Sequence, residues 1–222
     1  MVFDDSITKS MAAGMAITLA AIVYLQCENK LIGAFLFSIG LLSVIMFQFK
    51  LYTGYTGIFA DAWIMNKATQ TEFHVNDFRI CDYKFRAKEL LKILFWNCVG
   101  TFALGSLIGY FVPEVRQKAV ILMQHKEEAT WYAMLIKAVL CGALMQIAFL
   151  SRNKVGNHLE CAYIIAIICV MAFILGGFEH SIADMAYRFL SLHCTWQTTT
   201  LMSTAIIGNL IGGDITFRLA DV

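Results

Sequence analysis

Apolar residues in this chain come in runs long enough to cross a bilayer, and the runs recur six times. They fall near 7–25, 31–66, 91–112, 131–150, 159–192 and 198–217. A helix needs about 20 mostly apolar residues to span the hydrocarbon, so the second and fifth runs, 36 and 34 residues long, exceed one straight crossing. Each is interrupted near its centre, the second at Lys50-Leu51-Tyr52-Thr53-Gly54 and the fifth at Gly176-Gly177-Phe178-Glu179-His180. Glycine permits the backbone angles and close approaches that such breaks require. The third and sixth runs also correspond: Trp96-Asn97-Cys98-Val99-Gly100-Thr101 and Gly208-Asn209-Leu210-Ile211-Gly212-Gly213 both read Asn-x-x-Gly-small. The pattern predicts an all-α membrane protein with one transmembrane domain over residues 1–222. Its halves, approximately 7–112 and 131–217, have three helices each, the second of each broken. Three crossings per half place the halves in opposite orientations, and inverted repeats with paired broken helices point to a central transport site.

Composition agrees with this reading. The chain is 59% hydrophobic and 15% charged, with one proline and a mean hydropathy of +0.67, which excludes an ordinary soluble domain. A net charge of +1 gives no reason to expect nucleic acid as a partner. The opening residues Met1-Val2-Phe3-Asp4-Asp5 lack the basic segment of a cleaved signal, so the first run is expected to be a retained helix. With the N-terminus inside, ten Lys and Arg fall on the cytoplasmic side and five outside. This predicts a multi-pass protein of the cell (inner) membrane with both termini cytoplasmic. The charged connection 67–92 reads as a solvated amphipathic segment on the inner surface. Short connections elsewhere leave no room for a soluble catalytic domain, so a pore or carrier is expected and an enzyme is not. The seven cysteines form no C-x-x-C pair; free thiols in apolar runs, with neither zinc nor another cofactor, are the expectation.

The chemistry concentrates in Leu175-Gly176-Gly177-Phe178-Glu179-His180-Ser181-Ile182-Ala183-Asp184-Met185. A charge at bilayer depth costs ~2.5–3.5 kcal/mol on insertion scales, so these ionisable groups must face protein or water. His180 is read as a pore-lining proton donor: its neutral imidazole offers one N–H and its cation is accessible near neutral pH, so that it would aid an anion by hydrogen bonding or protonation and make passage pH-dependent. Glu179 is read as structural, capping N–H groups freed by the break. His180 and Asp184 stand i,i+4 as a conceivable metal pair, but without a third ligand in sight no metal site is expected. Asp184 is expected to cap or pair locally.

Gly177-Phe178-Glu179-His180-Ser181-Ile182-Ala183, with Leu51-Tyr52-Thr53-Gly54 and Gly208-Asn209-Leu210-Ile211-Gly212-Gly213, resembles the formate/nitrite transporter family over nearly the whole chain. The resemblance implies an aquaporin-like fold of six helices, a homopentamer with one pore per protomer, and passage of small monovalent anions and protons, with formate, nitrite or hydrosulfide as candidate anions. By position it makes His180 the central pore histidine and Thr53 its hydroxyl partner. Glu179 and Asn209 would hold the Thr53 loop and the broken fifth helix, with Asn97 the structural counterpart of Asn209. Leu51, Phe37, Leu41 and Phe173 match apolar pore positions, and Gly54 and Gly177 serve the breaks, Gly54 as a hinge. Three positions depart from the family pattern: Lys50 where an acid is usual, Gln146 for a fourth-helix asparagine, and Thr130 for a vestibule base, which Lys126 one turn upstream would replace. Lys50 would supply cationic potential at the cytoplasmic mouth.

Two other readings compete. An aquaporin-like channel for neutral solutes fits the fold, although its expected cationic selectivity residue is replaced by an acid and a histidine. A membrane subunit with His180 and His193 as haem ligands would need two residues thirteen apart in one plane.

Overall fold

The computed structural model describes residues 5–60, 83–156 and 158–220. Helix α1, Asp5–Gln26, opens on an i,i+4 Asp5–Lys9 ion pair of 2.7 Å. Helix α2, Lys30–Met46, starts where the Asn29 side chain accepts from the Leu31 and Ile32 amides at 2.9 and 3.2 Å, a standard N-cap. Its far end is met by Arg152, which donates to the Ile45 carbonyl and places positive charge where the helix dipole is negative. A 3₁₀ turn, Tyr52–Gly54, follows, and helix resumes at 58–60. Then come α3 (Tyr83–Phe111), α4 (Pro113–Glu127), α5 (Trp131–Lys154), α6 (Leu159–Leu175), α7 (Ser181–Ser191) and α8 (Trp196–Ala220). No strand occurs among the described residues. Helices α1 and α3, and residues Trp131–Arg152 of α5, are continuous, long and apolar enough to cross a membrane. The half-helices α2 and α6 have 17 residues each, too short to cross alone.

The two halves pack alike. A Cβ on Gly14 of α1 would lie 2.2 Å from the Asn97 carbonyl oxygen of α3, and one on Gly100 would lie 2.1 Å from the Met11 carbonyl oxygen. In the second half, a Cβ on Gly142 of α5 would lie 2.3 Å from the Asn209 carbonyl oxygen of α8. One on Gly212 would lie 1.9 Å from that of Val139. Two outer helices therefore meet backbone to backbone in each half, the close packing that small residues allow where lipid gives no hydrophobic drive. The polar spine described below is held between them.

Two sequence expectations need correction. Tyr83–Lys92 is not a solvated connection but the first turns of α3, and Arg86 within it is fully buried and donates to the Ile58 carbonyl at 2.8 Å. One charge there thus ties α3 to the resumed second helix, a task invisible to a positive-charge count. Residues 67–82 of that connection lie outside the described residues. The segment between the third and fourth runs, read as plain connection, is helix α4. It begins with Pro113 at its first position, where a missing N–H costs nothing, and packs against α7.

Replacing Gly212 with valine is expected to destabilise the protein by at least the ~1–3 kcal/mol typical of overpacking, because only backbone faces the new carbon. Thermal unfolding in detergent checks this; a melt unchanged from wild type would contradict the backbone contact.

Candidate functional site

Both breaks are built by the same local moves. Helix α2 ends with Gln48 at φ +54, and the Phe49 amide donates back to the Val44 carbonyl at 2.9 Å. Helix α6 ends with Gly177 at φ +63, and the Phe178 amide donates back to the Phe173 carbonyl at 2.9 Å. Each is a left-handed residue followed by a six-to-one closure, which satisfies carbonyls the helix end would leave open. The chain then runs extended through Leu51 (φ −104, ψ 127) and His180 (φ −103, ψ 112) into the next helical turn. Leu51 and His180 therefore occupy corresponding positions, Leu51 before the Tyr52–Gly54 turn and His180 before α7.

One carboxamide bridges each break. Asn97 accepts from the Tyr52 amide at 2.8 Å and donates to the carbonyls of Lys50 at 2.8 Å and Ser10 at 2.7 Å. Asn209 accepts from the Ser181 amide at 2.8 Å and donates to the carbonyls of Glu179 and Ala138, both at 2.8 Å. Each asparagine thus takes the amide after the extended residue, the carbonyl before it, and a carbonyl of the first helix of its own half. Ser10 and Ala138 each precede by four the glycine that lets that helix approach, Gly14 and Gly142. Asn209 does not reach the Thr53 loop as expected; Asn97 holds that break and Asn209 the other. Both amides are fully buried.

Between the breaks, His180 Nε2 and Thr53 Oγ1 are 3.1 Å apart. His180 Nδ1 accepts from the Ala183 amide at 3.1 Å and so caps α7. A nitrogen that accepts an N–H carries no proton, so the network assigns the neutral ring its proton on Nε2, aimed at Thr53. The cap is therefore His180 rather than Glu179. Phe173 stacks on the imidazole at 5.4 Å, and Phe37 meets Phe173 edge-on at 5.7 Å. His180 is only 2% exposed, yet with Phe173 it forms the floor of a cavity of about 450 Å³. Phe37, Leu41 and Leu51 are packed in the core and do not line that cavity.

The cavity wall carries Lys126 from α4. Its ammonium donates to a Glu179 carboxylate oxygen and lies 2.9 Å from Asp184 Oδ1. Side-chain exposures are 14%, 3% and 1% for Lys126, Glu179 and Asp184. Glu179 thus anchors α4 to the break instead of capping it. Since Asp184 faces Lys126 while both ring nitrogens of His180 are engaged elsewhere, the pair does not converge as metal ligands. Lys50 lies at the other end of α1, its Nζ donating to Ser6 Oγ at 3.2 Å. His193 sits past the C-terminal end of α7 and is 3.5 Å from a Glu127 carboxylate oxygen. Eleven residues of helix separate it from His180, about 16 Å of rise, which rules out a shared haem plane.

Gln146 accepts from Thr56 Oγ1 at 3.3 Å, and Thr56 donates also to the Thr53 carbonyl at 3.0 Å. Gln146 thereby steadies the Thr53 turn through Thr56, a residue sequence reasoning passed over although it lies three positions from Thr53. Tyr24, likewise missed, lines the cavity and meets Phe37 edge-on at 6.2 Å. Gly54 is not a hinge by virtue of its backbone angles; a Cβ there would strike the Phe149 ring at 2.5 Å.

A helical membrane protein with two inverted halves, each interrupted so that a histidine and a threonine meet beneath a cavity, has the build of a transmembrane channel or carrier. The chain belongs to the formate/nitrite transporter family, whose sequence profile matches residues 1–221. It is 23% identical over 190 residues to the formate channel FocA of Haemophilus influenzae, covering 81% of this chain and 64% of that protein. It is 26% identical over 195 residues to the uncharacterized transporter YrhG of Bacillus subtilis, covering 84% and 68%. The chain thus spans about two thirds of the length of these curated relatives. Among solved structures it superposes on a pentameric formate channel with formate bound at a TM-score of 0.74 and 18% identity, over 97% of this chain and 94% of that one. An FNT family ion channel gives 0.76 and 18%, over 97% and 86%. At such identity the likeness establishes the fold.

Removing either carboxamide leaves buried backbone groups unpaired, at ~1–3 kcal/mol for each group stranded. Asn97→Ala and Asn209→Ala are expected to lower the melting temperature by comparable amounts; an Asn97→Ala protein that melts like wild type would contradict the paired arrangement.

Proposed function

We propose that this protein conducts small monovalent anions of weak acids, with formate, nitrite and hydrosulfide as the candidates, through a pore in each subunit of a homopentamer. The observation that carries this is His180, which lines the cavity and meets Thr53 Oγ1 at 3.1 Å through Nε2. Membership of the formate/nitrite transporter family supports the substrate class, and the pentameric formate channel sharing the fold supports the assembly. The excess of cationic residues on one side supports a cell-membrane protein with both termini in the cytoplasm. In that orientation the cavity, whose wall includes Lys30 at the start of α2 and Glu128 and Ala129 from the connection after α4, opens outward.

The mechanism rests on two donors. The N-terminus of α7 at His180 directs a positive dipole end toward the break. The Nε2–H of His180 offers a hydrogen bond to an anion that replaces the Thr53 contact. Because Nδ1 is occupied by the Ala183 amide, a second proton on the ring displaces the α7 cap. Hydrogen bonding through Nε2 is therefore the favoured role, and proton donation from the ring the costly one. Phe173, stacked on the ring, keeps the centre apolar, so a bare charge crosses poorly and an ion leaning toward its neutral acid crosses well.

His180→Asn retains an acceptor able to cap Ala183 but presents no Nε2–H to the cavity. Reconstituted in proteoliposomes, it is expected to form the wild-type oligomer and to lose at least about 90% of formate uptake, a barrier rise of ~1.4 kcal/mol or more. Uptake equal to wild type would end the donor role. Thr53→Val is expected to reduce uptake less, since the imidazole donor survives.

A further inference from the structure

Beside His180 the Lys126 ammonium is shared by two buried carboxylates. Among the charged groups on the cavity wall, Lys30, Lys126 and Lys137 stand against Glu128, Glu179 and Asp184, so with these six ionised and His125 and His180 neutral the wall is formally neutral. At its inner end only Lys126, Glu179 and Asp184 cluster, one positive charge against two negative. An anion moving toward His180 would meet a net negative cluster, contrary to what an anion path requires. Asp184 resolves the conflict. It is 1% exposed, and its Oδ1 lies 2.9 Å from the same ammonium that Glu179 engages. One ammonium cannot offset two buried carboxylates, so the second keeps an unbalanced cost of desolvation and of repulsion by its neighbour, whereas a carboxylic acid carries no charge to desolvate. Glu179 is the better anchored of the two, because it accepts directly from Lys126.

We propose that Asp184 is the proton-loading residue of the vestibule, so that anion entry is gated by whether Asp184 holds a proton. With the proton on, Lys126 and Glu179 balance each other at the inner end and the wall as a whole is cationic. With it off, the inner end repels the anion before it reaches His180. The inference rests on the anion reading above and assigns the pH dependence to Asp184 rather than to His180, whose Nδ1 is occupied. The titratable groups around Asp184 are Lys126 from α4, Glu179 and His180 from the break, Tyr24 from α1, Tyr187 on α7 itself and Cys141 from α5. Helices α3 and α8 meet α7 through uncharged positions, Gly105 and Gly109 against Phe189 and Leu190, and Asn209 against Ser181.

The test is formate uptake into proteoliposomes across a pH series, corrected for protein-free liposomes, for wild type and Asp184→Asn. Wild-type uptake is expected to fall by up to about tenfold per pH unit above the titration midpoint, while Asp184→Asn keeps its acid-side rate into mildly alkaline medium. An Asp184→Asn profile that falls in parallel with wild type overturns the proposal. A wild type that takes up no formate at any pH overturns the anion reading instead. Infrared spectroscopy of the wild-type protein provides an arm that depends neither on the variant's folding nor on transport. At neutral pH a protonated-carboxyl band is expected that moves with isotope-labelled aspartate and vanishes in alkali. Absence of the band, or a band that moves only with labelled glutamate, overturns the assignment to Asp184.

Discussion

Every backbone amide and carbonyl at bilayer depth must find a partner within the protein, and each failure costs several kcal/mol. Breaking a spanning helix violates that rule on purpose, and two asparagines make the violation tolerable. Asn97 and Asn209 each close three hydrogen bonds to the backbone. Each takes one group from either side of an extended residue and one from a neighbouring helix. Because the asparagine sits on a helix already locked backbone to backbone through Gly14 and Gly100, or Gly142 and Gly212, the break inherits that rigidity.

From this constraint the site follows. The clamps hold Leu51 and His180 at corresponding points of an inverted pair, and what stands there differs between the halves. One half presents a leucine, the other an imidazole, and the hydroxyl of Thr53 in the first half reaches the ring of the second. The imidazole serves both scaffold and proposed path: Nδ1 caps a helix, Nε2 meets Thr53, and the residue lines the cavity. Glu179 is divided in the same way, with its carbonyl in the Asn209 clamp and its carboxylate on Lys126. Such double use ties the electrostatics of the vestibule to the geometry of the break.

Much of this was legible in the sequence because its causes are local. Runs too long for one crossing, interrupted by glycine or a charge, announced both breaks, and the repeated Asn-x-x-Gly announced both clamps. The left-handed residue closing α2 was not legible, because glutamine stands there where the other half has glycine. The role of Glu179 was misread for a different reason. Its partner arrives on α4, a helix too polar to register as a span and brought to the site only by packing against α7. Thr56, Gln146 and Tyr24 act through contacts between distant segments, and no periodicity reports those. Phe37, Leu41 and Leu51 were expected at a pore wall but lie in packed core; an apolar residue beside a path and one within the core look alike in sequence.

The most direct measurement is the ¹⁵N solid-state NMR spectrum of the His180 ring in lipid bilayers at neutral pH, assigned by comparison with a His180 variant. A neutral ring protonated on Nε2, with Nδ1 bare and hydrogen-bonded to an amide, is the expected result. A ring protonated on Nδ1, or doubly protonated at rest, would contradict the capped, cavity-facing histidine at the centre of this mechanism.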